Sequence, residues 1–307
     1  MGKILVVGST TVDIVIEVDH LPATAEDILL KSRTMDVGGC AFNAFWAARG
    51  LGGPCELFSP VGTGPFGDFV RERLAQEGVV TRCPPSDEEE GCCYCLVEAD
   101  GERAFIVWNG AEYVFHPEWF DVLDMDEYDS VYVCGLEVLQ GDGPALVGFL
   151  EGCARDKTIF FAPGSRIADL PSGLAQRVLD LHPVVHLNEE ESLIGASRFA
   201  GVEAGSFEEA ARALNRRTGS LVVVTLGADG CWYETGSERD RVPGEHAEVV
   251  DTVGAGDAHV GSLMAYLHHG LPLREALARA NRLASEVVAS RGAHLDASAF
   301  ARLDIAG

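Results

Sequence analysis

Near its carboxyl end the chain reads Asp251-Thr252-Val253-Gly254-Ala255-Gly256-Asp257, two carboxylates set around a pair of glycines. Val260, Leu263, Met264 and Leu267 follow at the spacing of one buried helical face, and Gly270-Leu271-Pro272 supplies a stop. Gly254 to Gly256 therefore form the turn that feeds a helix N-terminus. Without a bulky Cβ at Gly254 and Gly256, the backbone can take unusual dihedrals and let an anion approach its N–H groups, which the helix dipole also favours. The turn sets Asp257 in the first helical turn, where a carboxylate close to that anion can take a proton from an attacking hydroxyl. The chemistry such a group could perform is phosphoryl transfer. A plain tight turn before a core helix uses the same residues, so the rest of the chain has to decide.

A chain of 307 residues with 47% apolar content can bury a large core. A net charge of -25 argues against unspecific binding to nucleic acid or to an anionic membrane, since the surface repels phosphate on average. The opening run Lys3 to Val7 is too short for a signal peptide or a membrane span and reads as a first strand. Nine cysteines, an odd count scattered through apparent strands and helices with no export signal, fit a reducing cytoplasm. Cys92, Cys93 and Cys95 lack a second pair at zinc spacing and read as small strand residues rather than metal ligands.

The elements that must position the glycine turn follow from periodicity. Strands near 130–134, 158–162, 184–187 and 221–225 alternate with helical stretches near 144–155, 174–181, 189–196 and 206–216, which implies parallel strands with crossover helices. A hairpin-like piece at 230–250 precedes the turn, and a helix over 273–290 closes the core. The runs 92–98 and 103–109, joined by the hairpin signal Asp100-Gly101, add to an extended excursion at 12–36 to build a small separate sheet. The fold class is α/β, a doubly wound mostly parallel sheet with a small separate sheet formed by about 12–37 and 91–114, which the family resemblance described below makes a lid. Ligands of such sheets bind beyond the carboxyl ends of the strands.

No Gly-x-x-x-x-Gly-Lys-Ser/Thr loop occurs in the sequence. Gly62, Gly64 and Gly67 spell a dinucleotide-binding pattern after a strand, with Asp87 about 20 residues further on. Against that reading, the pattern follows a later strand than the first, Pro65 stiffens it, and Asp87 falls in an acidic loop.

Gly38-Gly39-Cys40-Ala41-Phe42-Asn43, Val61-Gly62-Thr63-Gly64-Pro65-Phe66-Gly67 and Asp251 to Asp257 together resemble the signatures of the ribokinase-like (PfkB-type) carbohydrate kinases, in order and spacing over nearly the whole chain. The resemblance implies ATP-dependent transfer, with Mg²⁺, to a hydroxyl of a small sugar or nucleoside. It matches Asp257 to the catalytic base, and Gly254, Ala255 and Gly256 to the anion hole. Asp13, Gly38, Gly39 and Asn43 match the acceptor-binding positions. Asn188 and Glu191 match the element that organises Mg²⁺ through water, although the same run also reads as a capped helix start. Thr225, Gly227 and Asn281 match the nucleotide side. Asp251 matches the start of a monovalent-cation (K⁺) site.

Cys40 stands where phosphofructokinase-type members place Lys, so an unphosphorylated sugar is the expected acceptor; a nucleoside acceptor, or a catalytically silent binding regulator, are the alternatives. His259 stands where the family has Phe and is expected to pack or cap. Strand and helix packing is the simpler account of Phe42, Phe105 and Trp108, with stacking on a ligand as the other. Lids of this family often pair, so a homodimer through the lid is a further expectation.

Overall fold

The structure, a computed structural model, describes residues 2–99, 102–139, 143–153 and 155–303. It begins with β1 (Lys3–Val7), β2 (Thr11–Glu17), β3 (Ser32–Gly38), α1 (Cys40–Gly50), β4 (Cys55–Phe58) and α2 (Gly64–Gln76). Next come β5 (Cys92–Val97), β6 (Arg103–Trp108), β7 (Tyr128–Cys134), α3 (Gly135–Leu139), α4 (Gly143–Cys153) and β8 (Thr158–Ala162). The alternation continues through α5 (Ser172–Leu179), β9 (Val184–Asn188), α6 (Glu189–Ala200), α7 (Phe207–Thr218) and β10 (Val222–Thr225). The chain closes with β11 (Cys231–Glu234), β12 (Arg239–Val242), α8 (Ala255–His268), α9 (Leu273–Val288) and α10 (Ala297–Arg302).

An eight-stranded sheet has the order β12-β11-β10-β9-β8-β7-β1-β4. The strands from β4 to β10 pair in parallel, and β11 and β12 extend the β10 edge antiparallel. Both faces are covered, which is why β1 reads as a continuous apolar run rather than an alternating one. Leu5 and Val7 enter the core on one face, Ile4 and Val6 the core on the other, and all four are fully buried. Helix ends carry the expected local signals: Ser206 caps α7, and glycines at 201 and 219 close α6 and α7 in the left-handed conformation.

A smaller separate sheet is present, as the sequence pattern implies, with the order β3-β2-β5-β6, while the turn signal Asp100-Gly101 lies outside the described residues. Val12, Ile14, Val37 and Cys92 enter the core, where the side of α2 bearing Val70 and Leu74 meets them. Successive strand residues point to opposite faces, so Asp13, its partners Asp36 and Cys93, and Arg103, Phe105 and Val107 share the other face. Phe42 is buried, as packing requires, but Phe105 and Trp108 are 56% and 47% exposed, so packing does not account for them.

The Gly62-Gly64-Gly67 pattern is a packing device. The Gly62 N–H donates to the Glu90 carboxylate, and a Cβ on Gly67 would fall 2.0 Å from the Gly62 carbonyl oxygen. The amide that would greet a pyrophosphate is already taken. Cys92, Cys93 and Cys95 lie on β5 as strand residues, and all nine cysteines are free thiols. No helix among the described residues is long and apolar enough to cross a membrane.

Candidate active site

The candidate residues gather beyond the carboxyl ends of β1, β7, β9 and β10, where the topology predicts a ligand groove. Gly254 is the N-cap of α8, with φ 74° and ψ 0°, a left-handed conformation that L side chains rarely adopt. A Cβ there would also lie 2.3 Å from the Ala293 Cβ. Gly256, one step into the helix, has no atom beyond its own stretch of helix within 4 Å of where its Cβ would be. Protein packing thus demands glycine at 254, while space at 256 is open.

Asp257 sits in the first turn of α8, where the Asn43 Nδ2 donates to its Oδ2 at 3.0 Å. His294 bonds the other end of that amide, Nε2 to Asn43 Oδ1, at 2.9 Å. Because Asn43 uses its nitrogen on a carboxylate, its oxygen must accept, so His294 carries its proton on Nε2. Neutral His294 thereby sets the rotation of Asn43, and Asn43 sets the carboxylate. Close approach of α8 to α1 makes this reach possible: a Cβ at Gly261 would fall 2.1 Å from the Ala44 carbonyl oxygen. Burial raises the Asp257 pKa to about 7; Asn43 and Cys40 pull it down, and the charges of Glu137 and Glu191 push it up.

Among the residues expected to hold the acceptor, Asp13 lies over Gly38, where a Cβ would meet its Oδ2 at 1.9 Å. Gly39, at φ 99°, is pressed against the Ser9 carbonyl. Burial, with the charge of Asp36 added, raises the Asp13 pKa to about 7. Glu137, absent from the sequence reading, is fully buried one turn past the end of β7. One of its oxygens accepts from the Ser9 N–H at 2.8 Å, and the other has no hydrogen-bond partner of normal geometry among the described residues. An acid directly after a strand's carboxyl end was the available signal.

Thr225, Gly227 and Asn281, expected on the nucleotide side, line one cavity of about 230 Å³ together with Gly256 and His259. Asn281 spends its side chain internally: Nδ2 donates to the Val242 and Pro243 carbonyls, and Oδ1 bonds His259 Nε2 at 3.1 Å. His259 Nε2 must then be the donor, so its Nδ1 accepts from His186 Nε2 at 2.9 Å. Burial holds both histidines below their ordinary pKa. His259 is thus a packing histidine, as expected, and Asn281 braces the cavity wall at 242–243 rather than offering a free amide. A larger cavity, about 540 Å³ between Phe120 and α4, contains none of these residues.

Asn188 caps α6 and forms a full capping box with Glu191, at 2.8 and 3.0 Å. One Glu191 oxygen remains for water, and β9 and β10 bring Asn188 beside Thr225 in register. Among the described residues no group of three or more His, Cys, Asp or Glu could cage a metal. The remaining Glu191 oxygen fits Mg²⁺, which keeps waters and is held by one or two carboxylates together with phosphates. Asp251 is instead paired with Arg103 of β6, at 2.7 Å.

A doubly wound sheet joined to a smaller one, with a glycine turn feeding a helix at the groove, is the ribokinase-like architecture. It matches the crystal structure of ribokinase from Thermotoga maritima with a TM-score of 0.84, at 20% identity, over 99% of each chain. The chain belongs to the pfkB family of carbohydrate kinases, whose sequence pattern matches residues 1–299. It is similar to the uncharacterized sugar kinase YegV of Escherichia coli (strain K12), 34% identical over 94% of this chain and 89% of that one. It is also similar to ribokinase of Mus musculus, 29% identical over 95% of this chain and 90% of that one.

Proposed function

We propose that this carbohydrate kinase transfers the γ-phosphoryl group of MgATP to a hydroxyl of a small unphosphorylated sugar, in the cytoplasm. One observation carries the reading: Asp257, partly buried and poised near neutrality, follows a left-handed Gly254 and an open Gly256 at the N-terminus of α8. Asp257 takes the proton of the acceptor hydroxyl as its oxygen bonds to the γ-phosphorus. The bond from phosphorus to the β–γ bridging oxygen breaks, and ADP leaves. The N–H groups of Gly254, Ala255 and Gly256 hold the charge that develops, without reorganising. Glu191 would hold Mg²⁺ through water, and that ion would offset the phosphate charge in an acidic groove.

The acceptor side supports a neutral polyol. Asp36 acts on Asp13 there and Glu137 on Asp257, while the nearby cations Arg73 and Arg103 are paired with Asp36 and Asp251. A sugar phosphate would meet repulsion. Asp13 accepts from two hydroxyls, Gly38 and Gly39 let the ring lie on the backbone, and the second Asn43 amide hydrogen is left for a ring substituent. A nucleoside acceptor is favoured by a different observation: exposed Phe105 and Val107 share the face of Asp13 and form an apolar wall on which a base could stack.

Asp13→Ala is expected to raise the acceptor KM at least tenfold with the ATP KM little changed, in an ADP-release assay over ribose, fructose, ketodeoxygluconate, adenosine and pseudouridine. An unchanged acceptor KM would move the binding site, and turnover confined to the nucleosides would select the second reading. β6 is also the outer strand of the smaller sheet, with Ile106 and Trp108 exposed, so we place a homodimer contact there. Light scattering should give twice the chain mass; a monomer at assay concentration removes the contact.

A further inference from the structure

The surroundings of Asp251 do not suit the monovalent cation that the family resemblance implies. Its Oδ1 accepts from Arg103 Nη1 at 2.7 Å and from Val253 N at 2.9 Å, and its Oδ2 accepts from Gly292 N at 3.1 Å. The Val288 carbonyl next to it is engaged too, accepting from the N–H groups of Val250 and Asp251. The ion pair is largely covered, its side chains 24% and 13% exposed. Burial alone would raise the pKa of Asp251, but the Val253 N–H, Arg103 and Gly292 N–H outweigh it and hold the carboxylate below its ordinary range. A carboxylate offers about four lone-pair sites, and here most of them and the whole charge are already matched. A potassium ion would have to sit against a guanidinium of like charge.

We infer that the Arg103 guanidinium does in this chain the work of a monovalent cation beside the anion hole, so that catalysis is independent of potassium. The connection runs through backbone atoms. Arg103 fixes Asp251, Asp251 holds the N–H groups of Val253 and Gly292, and the next residue, Ala293, closes on Gly254. Arginine suits the role because its guanidinium stays charged at any working pH and is planar, so less freedom is lost on pairing. Its address in the fold adds a consequence: Arg103 belongs to the same sheet, and the same sheet face, as Asp13. The cation that shapes the anion hole is therefore carried by the sheet that holds the acceptor. Arg103 is a positioning residue; it touches no reacting atom.

The inference rests on reading Gly254 to Gly256 as the anion hole, so its test includes a measurement that needs no phosphoryl transfer. Wild type and Arg103→Ala are compared in potassium chloride and in choline chloride at equal ionic strength, by thermal melting without substrates and by kcat. Wild type is expected to show the same melting temperature and the same kcat in both salts. Arg103→Ala is expected to lose at least tenfold in kcat in choline, with the ATP KM little changed, and to regain part of it in potassium. Its melting temperature should rise with potassium, as for any ion that binds only the folded state. Potassium that stabilises or activates the wild type overturns the inference, as does an Arg103→Ala protein with wild-type kcat in choline. A variant that is impaired equally in both salts and does not gain stability from potassium overturns it as well, since the pair would then be only a brace. If the variant fails to fold, the wild-type salt comparison still decides. Loss of the kinase reading alone would leave the melting comparison intact.

Discussion

Asp257→Asn is expected to lower kcat by about 10²–10⁴, the usual size of a general-base contribution, without lowering the melting temperature at pH 8. Asparagine keeps the shape and can still meet the Asn43 amide through its oxygen, but it cannot take the hydroxyl proton. It also removes a charge that its largely desolvated surroundings disfavour, which is why stability should hold or improve. The pH dependence separates the two effects. The folded-state pKa of Asp257 is about 7 against an ordinary 3.8. Between those values the folded protein binds more protons than the unfolded one. The stability this group contributes is therefore complete below about pH 4 and lost as pH rises through 7. Catalysis runs the other way, since the base must be ionised, and kcat/KM should climb with pH up to about 7 and then level. His259 and His294, held near 4 by burial, favour the folded state in the opposite direction, losing stability as pH falls from their ordinary 6.5. The difference between wild type and variant, rather than either melting curve, isolates Asp257. A variant with near-normal turnover, or a difference in stability that does not vary between pH 4 and 8, would remove Asp257 from this role.

The glycines of the turn should separate folding from anion binding. Gly254→Ala forces an L side chain into the left-handed region, at a cost of about 1–2 kcal/mol, and drives its Cβ against Ala293. It should lower the melting temperature and, by displacing the anion-hole N–H groups, reduce kcat by about 10²–10³. Gly256→Ala meets no atom beyond its own stretch of helix within 4 Å and replaces a poor helix former with the best one, worth up to about 1 kcal/mol. Its melting temperature should hold or rise. Its kcat should nonetheless fall tenfold or more, because the methyl group would occupy the space left for the phosphate. Full activity in a well-folded Gly256→Ala protein would place the transferred group elsewhere.

Much of the frame was legible because it depends on local rules. The run 158–162 is the strand β8 as read, and the helices near 189–196 and 206–216 begin within a residue of α6 and α7. Asn188 with Glu191 could be read as a helix cap from spacing alone, and the capping box is there. The candidate site residues could be named from the sequence, but their partnerships could not. Asn43 was assigned to the acceptor, yet its amide joins Asp257, 214 residues away, to His294, 251 residues away. Asn281 lines the cavity beside Thr225 and Gly227 but has no free amide to offer. Nothing in the spacing of Arg103 announces a contact with Asp251, 148 residues further on.

By itself the sequence determined the turn and the helix it feeds. Glycine at a left-handed position, and apolar residues at the helical period, are properties of a few neighbouring residues. It also determined the parallel sheet, since continuous apolar strands must be covered on both faces. Only the tertiary structure decided which charges meet. Burial and contact set whether Asp257 is a neutral acid or a base near pH 7, whether Asn43 faces ligand or protein, and which cation answers Asp251. Those are sums over groups brought together from distant parts of the chain, and no local pattern carries them.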